Sequence, residues 1–156
     1  MSRKLAALGD VHFGRKRVQP RRGEVCEFYA NAEPLLVHPV IRFNELQRAV
    51  IGEALGDAMR TTPYTCWACA VMPDHVHVVI RKHRDRAEEM IERLQDATRD
   101  GLIRKRLVPA DHPVWTVNGW KVFLDSPEGV GTRVAYVEGN PHQEGLARQE
   151  WGVVTA

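Results

Sequence analysis

The chain predicts an α+β fold, with helices packed on a mainly antiparallel sheet. Strand-like and helix-like runs interleave along it, two β-rich runs lie back to back across Met72-Pro73-Asp74, and each helical run carries one apolar face. Its 156 residues suit one compact core.

In chain order, residues 1–23 are basic and punctuated by Gly14, Pro20 and Gly23, which reads as an N-terminal arm ahead of a single domain over 24–156. Glu24 to Ala30 sets Val25, Glu27 and Tyr29 against Cys26, Phe28 and Ala30, the alternation expected of a strand. Pro34 and Pro39 mark a turn region. From Asn44 to Met59 the spacing predicts a helix: Leu46, Val50, Ala54 and Ala58 form a stripe flanked by Ile51, Leu55 and Met59, and Asn44 with Gln47 makes a capping box. Tyr64–Val71 and His75–Arg81 read as two strands. Asp85, with Glu88 three residues on, opens a helix whose stripe is Ala87, Met90, Ile91, Leu94 and Thr98. Trp115 to Asp125 reads as a strand or strand pair turning at Asn118-Gly119. Ser126-Pro127-Glu128 starts a last helix, expected to stop near Gly139 because the residue before Pro141 is pushed out of helical geometry.

A net charge of +2 gives no strong nucleic-acid signal. Local clusters are more informative: Arg15-Lys16-Arg17, Arg21-Arg22, Arg81-Lys82 and Arg104-Lys105-Arg106 could track a phosphate backbone. Cys26, Cys66 and Cys69 are odd in number, and no second pair completes a zinc site with Cys66-x-x-Cys69, so the pair reads as packing residues. Leu5-Ala6-Ala7-Leu8 is too short for a signal peptide and no run approaches membrane-spanning length, so a cytoplasmic protein with no membrane partner is expected.

Chemistry concentrates in Val71-Met72-Pro73-Asp74-His75-Val76-His77-Val78. Residues two apart on a strand share a face, so His75 and His77 present paired imidazoles, half of a divalent-metal site, while Val76 and Val78 face the other way. A histidine-triad hydrolase would need a third histidine where Val79 stands, and a two-histidine phosphodiesterase would need two His-x-Thr motifs. Neither pattern is present. On the last helix Val130, Val134 and Val137 define the buried stripe, and Tyr136 lies off it with Asn140 one turn on.

Met-Pro-Asp-His-Val-His, then a helix, a Trp-containing run and Tyr-Val-x-x-Asn-Pro, together resemble the single-tyrosine HUH transposases of insertion sequences, most of all the REP-associated tyrosine transposases. The resemblance runs from about Glu24 to Leu146. It implies a ferredoxin-like sandwich, Mg²⁺ or Mn²⁺ held by His75, His77 and Asn140, and Tyr136 as the nucleophile. The implied substrate is single-stranded or hairpin DNA, cut through a 5′-phosphotyrosine intermediate. The family includes monomers and dimers, so a homodimer is an open expectation. The sequence departs from the family where His142-Gln143-Glu144 replaces apolar and basic residues and where Asp96 and Asp100 make the preceding helix more acidic. Two alternatives stay open: a non-catalytic DNA-hairpin-binding relative, and a metal-dependent nuclease in which water attacks.

Overall fold

The structure, a computed structural model, describes residues 22–116 and 119–155. The chain divides into two compact units, Met1–Val40 and Ile41–Ala156. In the first, the described residues form α1 (Arg22–Ala32) and one 3₁₀ turn (Glu33–Leu35). The strand expected over Glu24–Ala30 is therefore helix. Both phases of its alternation carry apolar residues, and seven residues are too few to separate a period of two from one of 3.6.

The second unit contains α2 (Glu45–Thr61), β1 (Cys66–Val71), β2 (Val76–Ile80), α3 (Ala87–Arg104) and α4 (Pro127–Gln143). β1 and β2 form a two-stranded antiparallel hairpin, paired from Cys66↔Ile80 to Val71↔Val76 with a bulge between Cys66 and Ala68. The Met72 N–H donates to the His75 carbonyl at 2.8 Å and closes the turn at Pro73-Asp74. One face of the hairpin, with Cys69, Val71, Val76, Val78 and Ile80, joins the apolar sides of α2 and α3. The other, with Ala68, Ala70, Met72 and Val79, packs with Val137 of α4. The bulge shifts the alternation by one residue, so Cys66 lies with Cys69 on the helix-pair side. Burial drives both thiols up, Cys66 to about 11, which suits packing residues.

The Asn44 capping box on α2 forms as expected, with both bonds to Gln47 at 2.9 Å. Val50, Ile51, Ala54, Leu55 and Met59 are buried, but Leu46 at the first turn is 60% exposed. The cap of α3 falls one residue later than expected: the Arg86 N–H donates to Glu89, while Asp85 accepts a bond from the Tyr64 hydroxyl at 2.8 Å. Arg93 reaches the same hydroxyl at 3.2 Å, so tertiary partners take Asp85 away from capping.

Trp115 to Asp125 forms no strand among the described residues, and Asn118 of the expected turn lies outside them. Val114 has φ 65° and centres a γ-turn closed by the Trp115 N–H and the Pro113 carbonyl at 2.8 Å. Beyond it side chains do the docking: the Trp115 indole donates to Thr98 at 2.8 Å, and Lys121 pairs with Glu88. A half-buried alternation is satisfied as well by an extended segment lying on a helix as by a ladder.

α4 starts at its expected cap, Ser126, but runs to Gln143 with Pro141 inside it. Pro141 is fully buried, and the end is fixed by Gly145 (φ 71°), with Leu146 N–H donating to the Pro141 carbonyl at 2.8 Å. That closure and the burial of Leu146 outweigh the pre-proline bias at Asn140. The chain beyond α4 returns to β1. The Gln149 amide makes two 2.8 Å bonds with the Val71 backbone, and Thr155 N–H donates to the Cys66 carbonyl at 2.9 Å. Trp151 lies on Gly52, where a Cβ would fall 1.9 Å from its ring. No helix among the described residues is long and apolar enough to cross a membrane.

Candidate active site

The turn between the strands sets the first histidine. Phe43 N–H donates to the Pro73 carbonyl at 2.6 Å, tying the turn to the lead-in of α2. Asp74 follows, with Arg42 3.7 Å away, and its carboxylate lies 2.6 Å from His75 Nδ1. A carboxylate only accepts, so Nδ1 carries the proton and donates it to Asp74, and Nε2 is turned towards His77. His77, two residues on, faces the same way, as the period of a strand requires. The two Nε2 atoms stand 3.0 Å apart, with the rings edge to face.

α4 crosses this face and supplies the phenol. Tyr136 is 44% exposed, and its ring lies 5.7 Å from that of His77, again edge to face. The Arg133 guanidinium sits 5.4 Å from the Tyr136 ring centre, one turn earlier on the helix. Burial, then His75, then Arg133 depress the His77 pKa to about 4, so its imidazole is neutral and can donate a lone pair throughout the ordinary pH range.

The structure thus brings His75, His77 and Tyr136 together from two elements. Asn140 lies one turn beyond Tyr136 but is buried, and its amide bonds neither imidazole. It is not offered to solvent beside the phenol. Two residues of the site carry no warning in a strand-and-stripe reading: Asp74, whose signal is a carboxylate directly before a paired histidine, and Arg133, whose signal is its place three residues before Tyr136.

Of the basic candidates, Arg15, Lys16 and Arg17 lie outside the described residues. Arg81 and Lys82 are exposed just after β2, at the far end of the strand from His75. Arg104, Lys105 and Arg106 end α3, which packs on the opposite face of the hairpin from Tyr136. Trp115 and Trp151 donate their indole N–H groups to Thr98 and Gln149, and Trp120 is 58% exposed.

Two cation ligands on adjacent octahedral positions at about 2.1 Å lie roughly 3.0 Å from each other. The Nε2 separation in the site matches that value, and Asp74 stands where a carboxylate orients a metal-binding imidazole. Among the described residues no group of three or more His, Cys, Asp or Glu side chains could hold a metal ion together. The chain matches no family model, no curated protein and no solved structure.

Proposed function

We propose that the chain is a metal-dependent DNA strand transferase of the single-tyrosine transposase type, acting on single-stranded or hairpin DNA. The observation that carries this reading is the convergence of the His75 and His77 Nε2 atoms, 3.0 Å apart, beside the exposed ring of Tyr136. The order α2-β1-β2-α3, with both helices on one face of the hairpin, supports this reading, because the ferredoxin-like sandwich that the sequence resemblance implies would set two helices on one face of its central strand pair.

His75 and His77 would hold Mg²⁺ or Mn²⁺, with Asn140 the third protein ligand that the resemblance implies. When bound, such a cation would supply Lewis-acid stabilisation of charge on the phosphate and the leaving oxygen. Tyr136 supplies the nucleophile. Its oxygen bonds to phosphorus as the bond to the 3′ oxygen breaks, leaving a 5′-phosphotyrosine and a free 3′-OH. The phenol's proton passes to water and the 3′ oxygen gains one, so protons balance. The new ester conserves the phosphodiester's energy, and attack by another 3′-OH rejoins strands without ATP. A half-exposed nucleophile on a helix suits a flexible single strand, whose phosphate can be turned towards it.

The test is a denaturing gel of labelled hairpin DNA incubated with the protein and Mn²⁺. Wild type should give a protein-linked band. Tyr136→Phe should lose it while keeping its fold and DNA affinity, because only the hydroxyl is removed and the ring is 44% exposed. Nicking by Tyr136→Phe at the wild-type rate would make water the nucleophile and the protein a nuclease. Binding without any product from wild type would leave a DNA-hairpin-binding relative.

A further inference from the structure

We propose that Arg133 is a phosphate-binding catalytic residue, its guanidinium gripping a non-bridging oxygen of the scissile phosphodiester while Tyr136 attacks. This rests on the reading of Tyr136 as nucleophile. Arg133 lies three residues before Tyr136 on α4, and its guanidinium carbon is 5.4 Å from the centre of the phenol ring. The same ring meets His77 at 5.7 Å. Cation and imidazole therefore both meet the one phenol ring, on the hairpin's α4 side.

The charge of Arg133 is also uncommitted. Among the described residues it forms no ion pair with a carboxylate, whereas Arg93 pairs with Asp85 and Arg99 with Asp100. Seated on the ring, the planar fork needs little further ordering to meet an incoming anion. As the bond from Tyr136 forms and the bond to the 3′ oxygen breaks, the two remaining phosphoryl oxygens keep their negative charge. A pre-placed guanidinium stabilises that arrangement without reorganising at the moment of reaction.

Two assays on Arg133→Ala and Arg133→Lys, each checked for an unchanged melting curve, test this. The first measures binding of single-stranded oligo(dT) in EDTA across a salt series. Loss of one phosphate contact should lower the slope of log affinity against log salt by about 0.7 in Arg133→Ala. Arg133→Lys should retain the slope. The second follows adduct formation with Mn²⁺ on a hairpin captured covalently by wild type from a randomised pool. Arg133→Ala should slow the adduct by about 100-fold, and Arg133→Lys should recover part of the loss. A neutral methylphosphonate at the cleaved position should close most of the gap between wild type and Arg133→Ala, which a merely structural role would not do. An Arg133→Ala protein with wild-type slope and adduct rate overturns the proposal but leaves Tyr136 as nucleophile. Absence of any adduct from wild type overturns both, and the wild-type lane alone tells these failures apart.

Discussion

His75 and His77 are two residues apart yet occupy different surroundings. His75 stands at the turn with its side chain 48% exposed and its ring steered by Asp74. His77 is half-buried under α4 and neutral down to about pH 4. If the pair holds a cation, the exposed imidazole depends on Asp74 for its orientation, while the buried one is held by its surroundings. Asp74→Ala should therefore weaken Mn²⁺ binding by about 10- to 100-fold, measured by calorimetry or electron resonance, with the fold retained. Unchanged affinity would show that the 2.6 Å contact orients nothing. That both histidines share a face was legible in their spacing, because the period of a strand is fixed by backbone geometry. The placements of Asp74 and Arg133 were not, since each depends on where a side chain turns in the folded chain.

Helix ends show most clearly what could be read at the scale of elements. Asn44 and Ser126 announce α2 and α4 because a cap is a local bond between residues three apart. The end of α4 follows instead from its burial, and α1 replaces a strand where a short alternation was ambiguous. α3 and α4 stop with the same closure, one N–H reaching back five residues and the residue before it in left-handed conformation. In α4 that residue is Gly145, φ 71°; in α3 it is Arg106, φ 57°. A side chain pays a steric penalty there that glycine avoids. Arg106→Gly should raise stability by about 1 kcal/mol and Gly145→Ala should lower it by a similar amount, read from urea denaturation midpoints. Opposite or absent shifts would show that other contacts set these ends. Because Arg106 lies on the face away from Tyr136, Arg106→Gly should leave adduct formation intact.

Across the 41–156 unit, the hairpin separates a helix pair from a single helix, and the site lies on the single-helix side. The layering was legible: helices with one apolar face must bury it on a sheet, and a two-sided sheet shows as apolar residues in both phases of its strands. Sheet size was not. Trp115 and Lys121 dock their segment through side chains, and the outer edge of β1 is covered by Gln149 and Thr155, whose partners lie 78 and 89 residues away in sequence. No local pattern announces such long-range pairs. A chain ending at Arg148 should lose this cover, leaving the Val71 and Cys66 backbone groups unpaired at a cost of about 1–3 kcal/mol for each buried group. The freed edge should also promote association, seen as a concentration-dependent mass in light scattering. A shortened chain as stable and as monomeric as the full one would show that the tail's bonds contribute nothing.

Val71 gives that contact an atomic clock. Its N–H is held by the Gln149 side chain rather than by β2, although its neighbours belong to the hairpin. Deuterium uptake at this one amide then times the departure of the returning chain, while the Ala68 and Ala70 amides time the parting of the strands. If the tail lifts without the sheet opening, Val71 exchanges faster than the residues on either side of it. If all three exchange together, tail and sheet are one cooperative unit.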